Sequence, residues 1–172
     1  DEYRRQQDPD AFSDAAWDAL RFRNPLSFPM TTGPASIVSH GRLNGQTMSC
    51  WVNAGEQTIL RITKALSLRT RCVEQEEPHE QRDVIYWGGS AFRKIGVTGE
   101  VSVNNHRKED IKLVIRRRFS GDLLSADGEP KTILREEGVY SVNARRELLW
   151  ELTLKPGEEK KFTYRYTLLV RH

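Results

Sequence analysis

The chain is poor in the residues that mark chemistry: its 172 residues include two cysteines and four histidines. No histidine stands at ligand spacing beside Cys50 or Cys72, so zinc is not expected, and two thiols are too few for a disulfide-dense scaffold. No apolar run approaches the roughly 18 residues of a membrane span, and no charged-then-apolar leader is present. Charge of one sign is also lacking. The 27 Lys and Arg against 24 Asp and Glu leave a net +3, a mixed surface rather than a polycation, so nucleic-acid binding is not implied. The sequence opens at Asp1 without a methionine, which is expected of a segment cut from something longer. No feature speaks to the oligomeric state.

What the chain does have is patterned hydrophobicity. Charged residues make up 30% of it, yet apolar positions recur with the two-residue period of half-buried strands rather than being scattered as in a disordered chain. Residues 148–170 carry this pattern most clearly. Leu148, Trp150, Leu152 and Leu154 share one face, and Phe162, Tyr164, Tyr166, Leu168 and Val170 share another, with Pro156, Gly157 and Glu158 between them. The stretch reads as a β-hairpin unit of a sandwich.

Elsewhere, short strands are punctuated by Pro and Gly at near ten-residue spacing, as in sandwiches and barrels. Strands are expected at 35–39, 45–52, 57–63, through Leu66, Leu68, Thr70 and Cys72, and at 84–87 before a Gly88-Gly89 turn. Val97, Gly99, Val101 and Val103 should face inward. So should Ile111, Leu113, Ile115 and Phe119, while Lys112, Arg116 and Arg118 point the other way. A Gly/Asp-rich loop is expected at 125–130. Before all these, Asp10 or Ser13 can cap a short helix over 11–20 containing Ala15, Ala16, Ala19 and Leu20 around Trp17. The charged stretch 74–83 is a candidate loop or boundary. The expected architecture is all-β, an immunoglobulin-like antiparallel β-sandwich, either one large sandwich or two small ones in tandem. Its parts would be a tail and helix at 1–21, a first sandwich part at 22–83 and a second at 84–172. A repeated grammar hints at duplication: Asn24 and Asn104 each follow a strand, and Gly55-Glu56 and Gly157-Glu158 each form a turn before another strand.

Cys50 shares its phase with Met48 and Val52, and Cys72 shares its phase with Leu66 and Leu68. The pair is open to two readings. A disulfide would be worth about 3 kcal/mol if the Cα atoms lie within about 7 Å, and otherwise both are buried free thiols packing as small hydrophobes.

Several segments in combination resemble the C-terminal part of a bacterial domain family of unknown function found in mucoidy inhibitor A-like proteins. They are Asn24-Pro25, Met30-Thr31-Thr32-Gly33-Pro34-Ala35, Gly41, Gly45-Gln46, Ala54-Gly55-Glu56-Gln57-Thr58, Ile62-Thr63-Lys64-Ala65-Leu66 and the pattern of 148–170. The resemblance spans 22–170. It implies an all-β fold at the end of a larger protein with coiled-coil helices upstream, favours periplasm or cell envelope over cytoplasm, and supplies no catalytic residues.

Chemical motifs are weak throughout. His79-Glu80 has Asp83 where a second zinc ligand would stand, beside a helix-breaking Pro78. Gly88-Gly89-Ser90-Ala91-Phe92 lacks the closing glycine of a nucleophile elbow. Glu74, Glu76, Glu77 and Glu80 lack the Asp-x-Asp-x-Asp-Gly pattern of a calcium loop and read as a solvated stretch. No cofactor is expected. The strongest charge feature is Arg116-Arg117-Arg118 with Lys112: Lys112, Arg116 and Arg118 would form an anion-binding face or simply cover an exposed sheet, and arginines here could lie over Tyr164 and Tyr166. Three readings of function follow. The first is a non-catalytic interaction or structural module with a protein or glycan partner. The second is an enzyme or accessory domain acting on a polysaccharide or other polymer, and the third is polyanion binding through the basic face.

Overall fold

The structure, a computed structural model, describes residues 15–78, 84–136 and 142–171. Every described element is a strand, and all the sheets are antiparallel. The chain divides into two units, Asp1–Leu66 and Ser67–His172. The boundary thus lies ahead of the charged stretch. Residues 74–76 of that stretch belong to a strand of the second unit, paired with a strand beyond residue 84.

In the first unit, β1 (Trp17–Arg23) pairs with β4 (Gln57–Lys64), and β2 (Gly33–Ser39) pairs with β3 (Arg42–Ser49). The expected helix around Trp17 is instead β1. Alanine is a strong helix former, but intrinsic propensity is a weak force beside tertiary pairing, and pairing Leu20 with Leu60 and Phe22 with Thr58 overrides it. The capping candidates Asp10 and Ser13 lie outside the described residues. β3 ends at Ser49, whose hydroxyl donates to the carbonyls of Thr31 and Gly33, and this breaks the alternation. Met48 and Cys50 are consequently exposed, while Val52 is buried.

The second unit has one sheet in the order β5 (Leu68–Glu76), β7 (Ser90–Asn105), β12 (Glu159–Arg171), β9 (Asp122–Ala126), with β6 (Val84–Trp87) also on β7. The other sheet runs β10 (Lys131–Glu136), β11 (Arg145–Leu154), β8 (Ile111–Ser120). The two pack face to face, as in a β-sandwich. Val101, Tyr164 and Tyr166 of the first meet Phe119, Leu148 and Trp150 of the second, and Val103, Ile111 and Leu154 extend the contact. Each such side chain withdrawn from water contributes about 2 kcal/mol, and together they hold the sheets against each other. Leu66, expected inside, is 93% exposed because β5 begins only at Leu68.

The pattern of 148–170 is corrected in one respect. Its apolar faces point inward as expected, but β11 and β12 are not a hairpin, since each pairs within a different sheet. The two faces confront one another, with Trp150 and Phe162 ring centroids 5.4 Å apart. Alternation reports that one side of a strand is buried, and a strand buried from across the core carries the same signature as one buried beside its neighbour. The expected loop at 125–130 is likewise partly strand, since β9 runs to Ala126 before the turn.

Both units close their inter-sheet connections with the same asparagine clasp. Asn24 Nδ2 lies 3.0, 3.2 and 3.1 Å from the carbonyls of Phe28, Val52 and Asn53, and its Oδ1 accepts from Leu26 N–H. Asn105 Nδ2 lies 3.0, 3.2 and 3.1 Å from those of Glu109, Leu154 and Lys155, and its Oδ1 accepts from Arg107 N–H. The backbone repeats too: Asn24 bonds Glu56 and Gly55 as Asn105 bonds Glu158 and Gly157. The carboxylates of Glu56 and Glu158 each accept from the amide three residues earlier, and Gly55 and Gly157 share a left-handed φ of 69°. The repeated grammar of the sequence is therefore matched by repeated geometry at this point. Asn105, not the neighbouring Asn104, is the counterpart of Asn24.

Candidate functional site

Two charged clusters stand out in the second unit. The first is built around Tyr164, whose side chain is fully enclosed. It faces Gly99 on β7, and Gly99 in turn faces Glu74 on β5, so the ring crosses the middle strand over a glycine to reach the carboxylate. A Cβ at Gly99 would fall within the Tyr164 ring. The Tyr164 hydroxyl donates to Glu74 Oε1 at 2.7 Å and accepts from Arg117 Nε at 2.7 Å. Arg117 also ion-pairs with Glu74 Oε2 at 2.7 Å. The triangle ties β5 and β12 of one sheet to β8 of the other. Burial, reinforced by the bond to Glu74, holds the Tyr164 phenol far above its ordinary range, and burial pushes Tyr166 up to about 12. Burial works against the charge on Arg117, but its bond to Glu74 and the neighbouring Tyr164, Glu74 and Cys72 together outweigh this and strengthen its hold on the proton. Every group is consumed by another, so the cluster acts as a polar rivet through the core.

The second cluster lies on the outward face of the β10-β11-β8 sheet. Glu147 on β11 is 0% exposed, although its phase along the strand points away from the core. It is covered by arginines. Arg135 Nε and Arg118 Nε approach its Oε2 at 2.8 and 3.1 Å, and Arg116 Nε stands 3.8 Å from Oε1, too far to bond. Burial pushes the Glu147 carboxyl up, but the hydrogen bonds and positive charges of Arg135 and Arg118 together outweigh it and hold the group below its usual value. Lys112, Lys131 and Arg145 share this face through their cross-strand partners Thr153, Leu149 and Ser120. Basic residues therefore outnumber acidic ones on this face among the described residues. Its floor is aliphatic, with Ile133 and Leu149 half-buried beside Glu147 and Arg116.

The sequence thus placed Arg116 and Arg118 together, as the structure does, and missed Glu147 and Arg135. Nothing local announces them, because what gathers the cluster is the pairing of three strands. Lys112 shares the face but stands about 13 Å along β8 from Arg116, outside the arginine cluster. The arginine that meets Tyr164 is Arg117, through the hydroxyl rather than over the ring. Neither Cys50 nor Cys72 forms a disulfide, so the disulfide reading is not realised, and Cys72 packs against the core with Tyr164 Oη 3.8 Å away. Glu77 holds Arg165 at 2.7 and 2.9 Å. His79, Glu80 and Asp83 lie outside the described residues. Among the described residues, no three His, Cys, Asp or Glu side chains gather as metal ligands would. No helix there is long and apolar enough to cross a membrane.

No family model, curated protein or solved structure matches the chain.

Proposed function

We propose that the chain is a non-catalytic, immunoglobulin-like β-sandwich interaction module of a larger bacterial protein, at work in the cell envelope. The resemblance to mucoidy inhibitor A-like proteins motivates the setting. The observation that carries the reading is the outward face of β10-β11-β8, where arginines are gathered and displayed at the surface. The polar groups of the other cluster, Tyr164, Arg117 and Glu74, are engaged with each other in riveting the sheets. A rigid sheet displaying fixed charges suits recognition, because little side-chain entropy remains to be lost on docking. The test is a pull-down from a bacterial envelope extract with this chain as bait, at low and high salt, against an unrelated β-sandwich bait. A partner retained selectively over the unrelated bait, more strongly at low salt than at high, is expected. Retention no different from that of the unrelated bait at either salt would remove the reading.

A further inference from the structure

Resting on that reading, we propose that the face centred on Arg116, Arg118 and Arg135 binds an extended acidic segment of a protein partner, one presenting carboxylates at alternate positions. Three guanidinium groups share one carboxylate, so the cluster keeps a surplus of two positive charges even with Glu147 ionised. The Arg118 side chain is 71% exposed and those of Arg116 and Arg135 are 47% and 44% exposed, which leaves N–H groups directed to solvent. Glu147 acts as an internal template. It draws the three forks together before any ligand arrives, reducing the ordering cost of binding. Arg116, held at 3.8 Å without a hydrogen bond, is the fork most free to turn toward an incoming carboxylate.

The geometry favours a strand-like peptide. Arg116 and Arg118 are alternate residues on β8, about 6.7 Å apart, which is the repeat at which an extended peptide presents every second side chain. Arg135 lies across β11, roughly 10 Å from β8, and reaches the second row of such a ligand. Guanidinium forks match carboxylates in two-point contact, where lysine would offer only a point charge. The floor between them is aliphatic, supplied by Ile133 and Leu149, and arginine over aliphatic ground is the composition of protein interfaces. No aromatic side chain stands on this face of β8 or β11 to stack a base, which disfavours single-stranded nucleic acid.

The experiment is a fluorescence-anisotropy titration of the chain with a labelled peptide of alternating Glu and Thr, with heparin and single-stranded DNA as competitors. Binding that weakens with salt is expected, with the peptide preferred to either competitor at equal charge. Arg116→Ala/Arg118→Ala should weaken it about tenfold or more, and Arg71→Ala, on the other sheet, should leave it unchanged. Because the alanine pair strips partners from buried Glu147, Arg116→Lys/Arg118→Lys serves as the companion: it keeps the charges and should still lose several-fold through loss of the forks. Three results would overturn the proposal: no peptide binding at low salt, wild-type affinity in both double variants, or tighter binding of heparin or DNA than of the peptide. Selective capture of an envelope partner by the alanine pair as strongly as by wild type would also overturn it, while leaving the broader module reading intact.

Discussion

Tyr164 shows how much one side chain can organise. Its ring fills the core, its hydroxyl holds Glu74 and Arg117, and its path requires the bare backbone of Gly99. Its phenol and that of Tyr166 are both raised by burial, Tyr166 to about 12. For a group whose folded pKa is raised, the stabilisation is fully present below the unfolded phenol value of about 10 and is lost as pH climbs through the folded value. A spectrophotometric titration should therefore show two of the five tyrosines resisting ionisation between about pH 10 and 12, and ionising together with loss of the native circular-dichroism signal. Ionisation of all five phenols near pH 10 with the fold intact would contradict the enclosed network. The sequence placed Tyr164 inward. It could not show Arg117 or Glu74 as its partners, since these are 47 and 90 residues away.

At the level of strands, what was legible was the face each residue takes, and what was not was the neighbour. The inward phase of β7, β8, β11 and β12 follows directly from alternation, because a one-sided core imposes period two on any strand. Partner choice depends on which sheet a strand joins, and local sequence is silent on that, so β11 and β12 read as a hairpin while lying in opposite sheets. Glu147 is the sharpest case. Its phase predicts exposure, and only the pairing of β10, β11 and β8 brings Arg116, Arg118 and Arg135 over it. Since its folded pKa is lowered, the stability it confers is present above the unfolded carboxylate value of about 4.3 and disappears as pH falls through the folded value. In urea unfolding, wild type should lose stability between about pH 5 and pH 3 more steeply than Glu147→Gln, which has no carboxylate there to protonate. At neutral pH the Gln variant should be the less stable of the two, having exchanged charge-assisted bonds for neutral ones. Parallel acid profiles would show that the arginines contribute nothing through Glu147.

Over the whole chain, the repeat matters more than any single strand. Asn24 and Asn105 occupy equivalent corners, one in each unit, and each stitches two connections that pass between sheets. The trace was visible as the paired Gly-Glu turns, and the shift from Asn104 to Asn105 arose because a strand of unknown end leaves two adjacent asparagines equally eligible. An amide has two N–H groups, so three carbonyl partners mean that at least one N–H is shared, and no other side chain of that size supplies both donors and the acceptor used by the following turn. Replacing Asn105 with Ala strands buried carbonyls at both connections, for a loss of about 3 kcal/mol, and Asp keeps the shape while turning a carboxylate toward three carbonyls, which should cost more. Asn24→Ala should cost a similar amount. Among the described residues every strand pairing lies within one unit, so the damage should stay local in hydrogen exchange. Asn24→Ala should raise exchange in β1 and β4 and leave β7 and β12 at wild-type protection, and Asn105→Ala should do the reverse. If either variant loosened both units equally, the two clasps would not be the separate keystones that their repeated geometry describes.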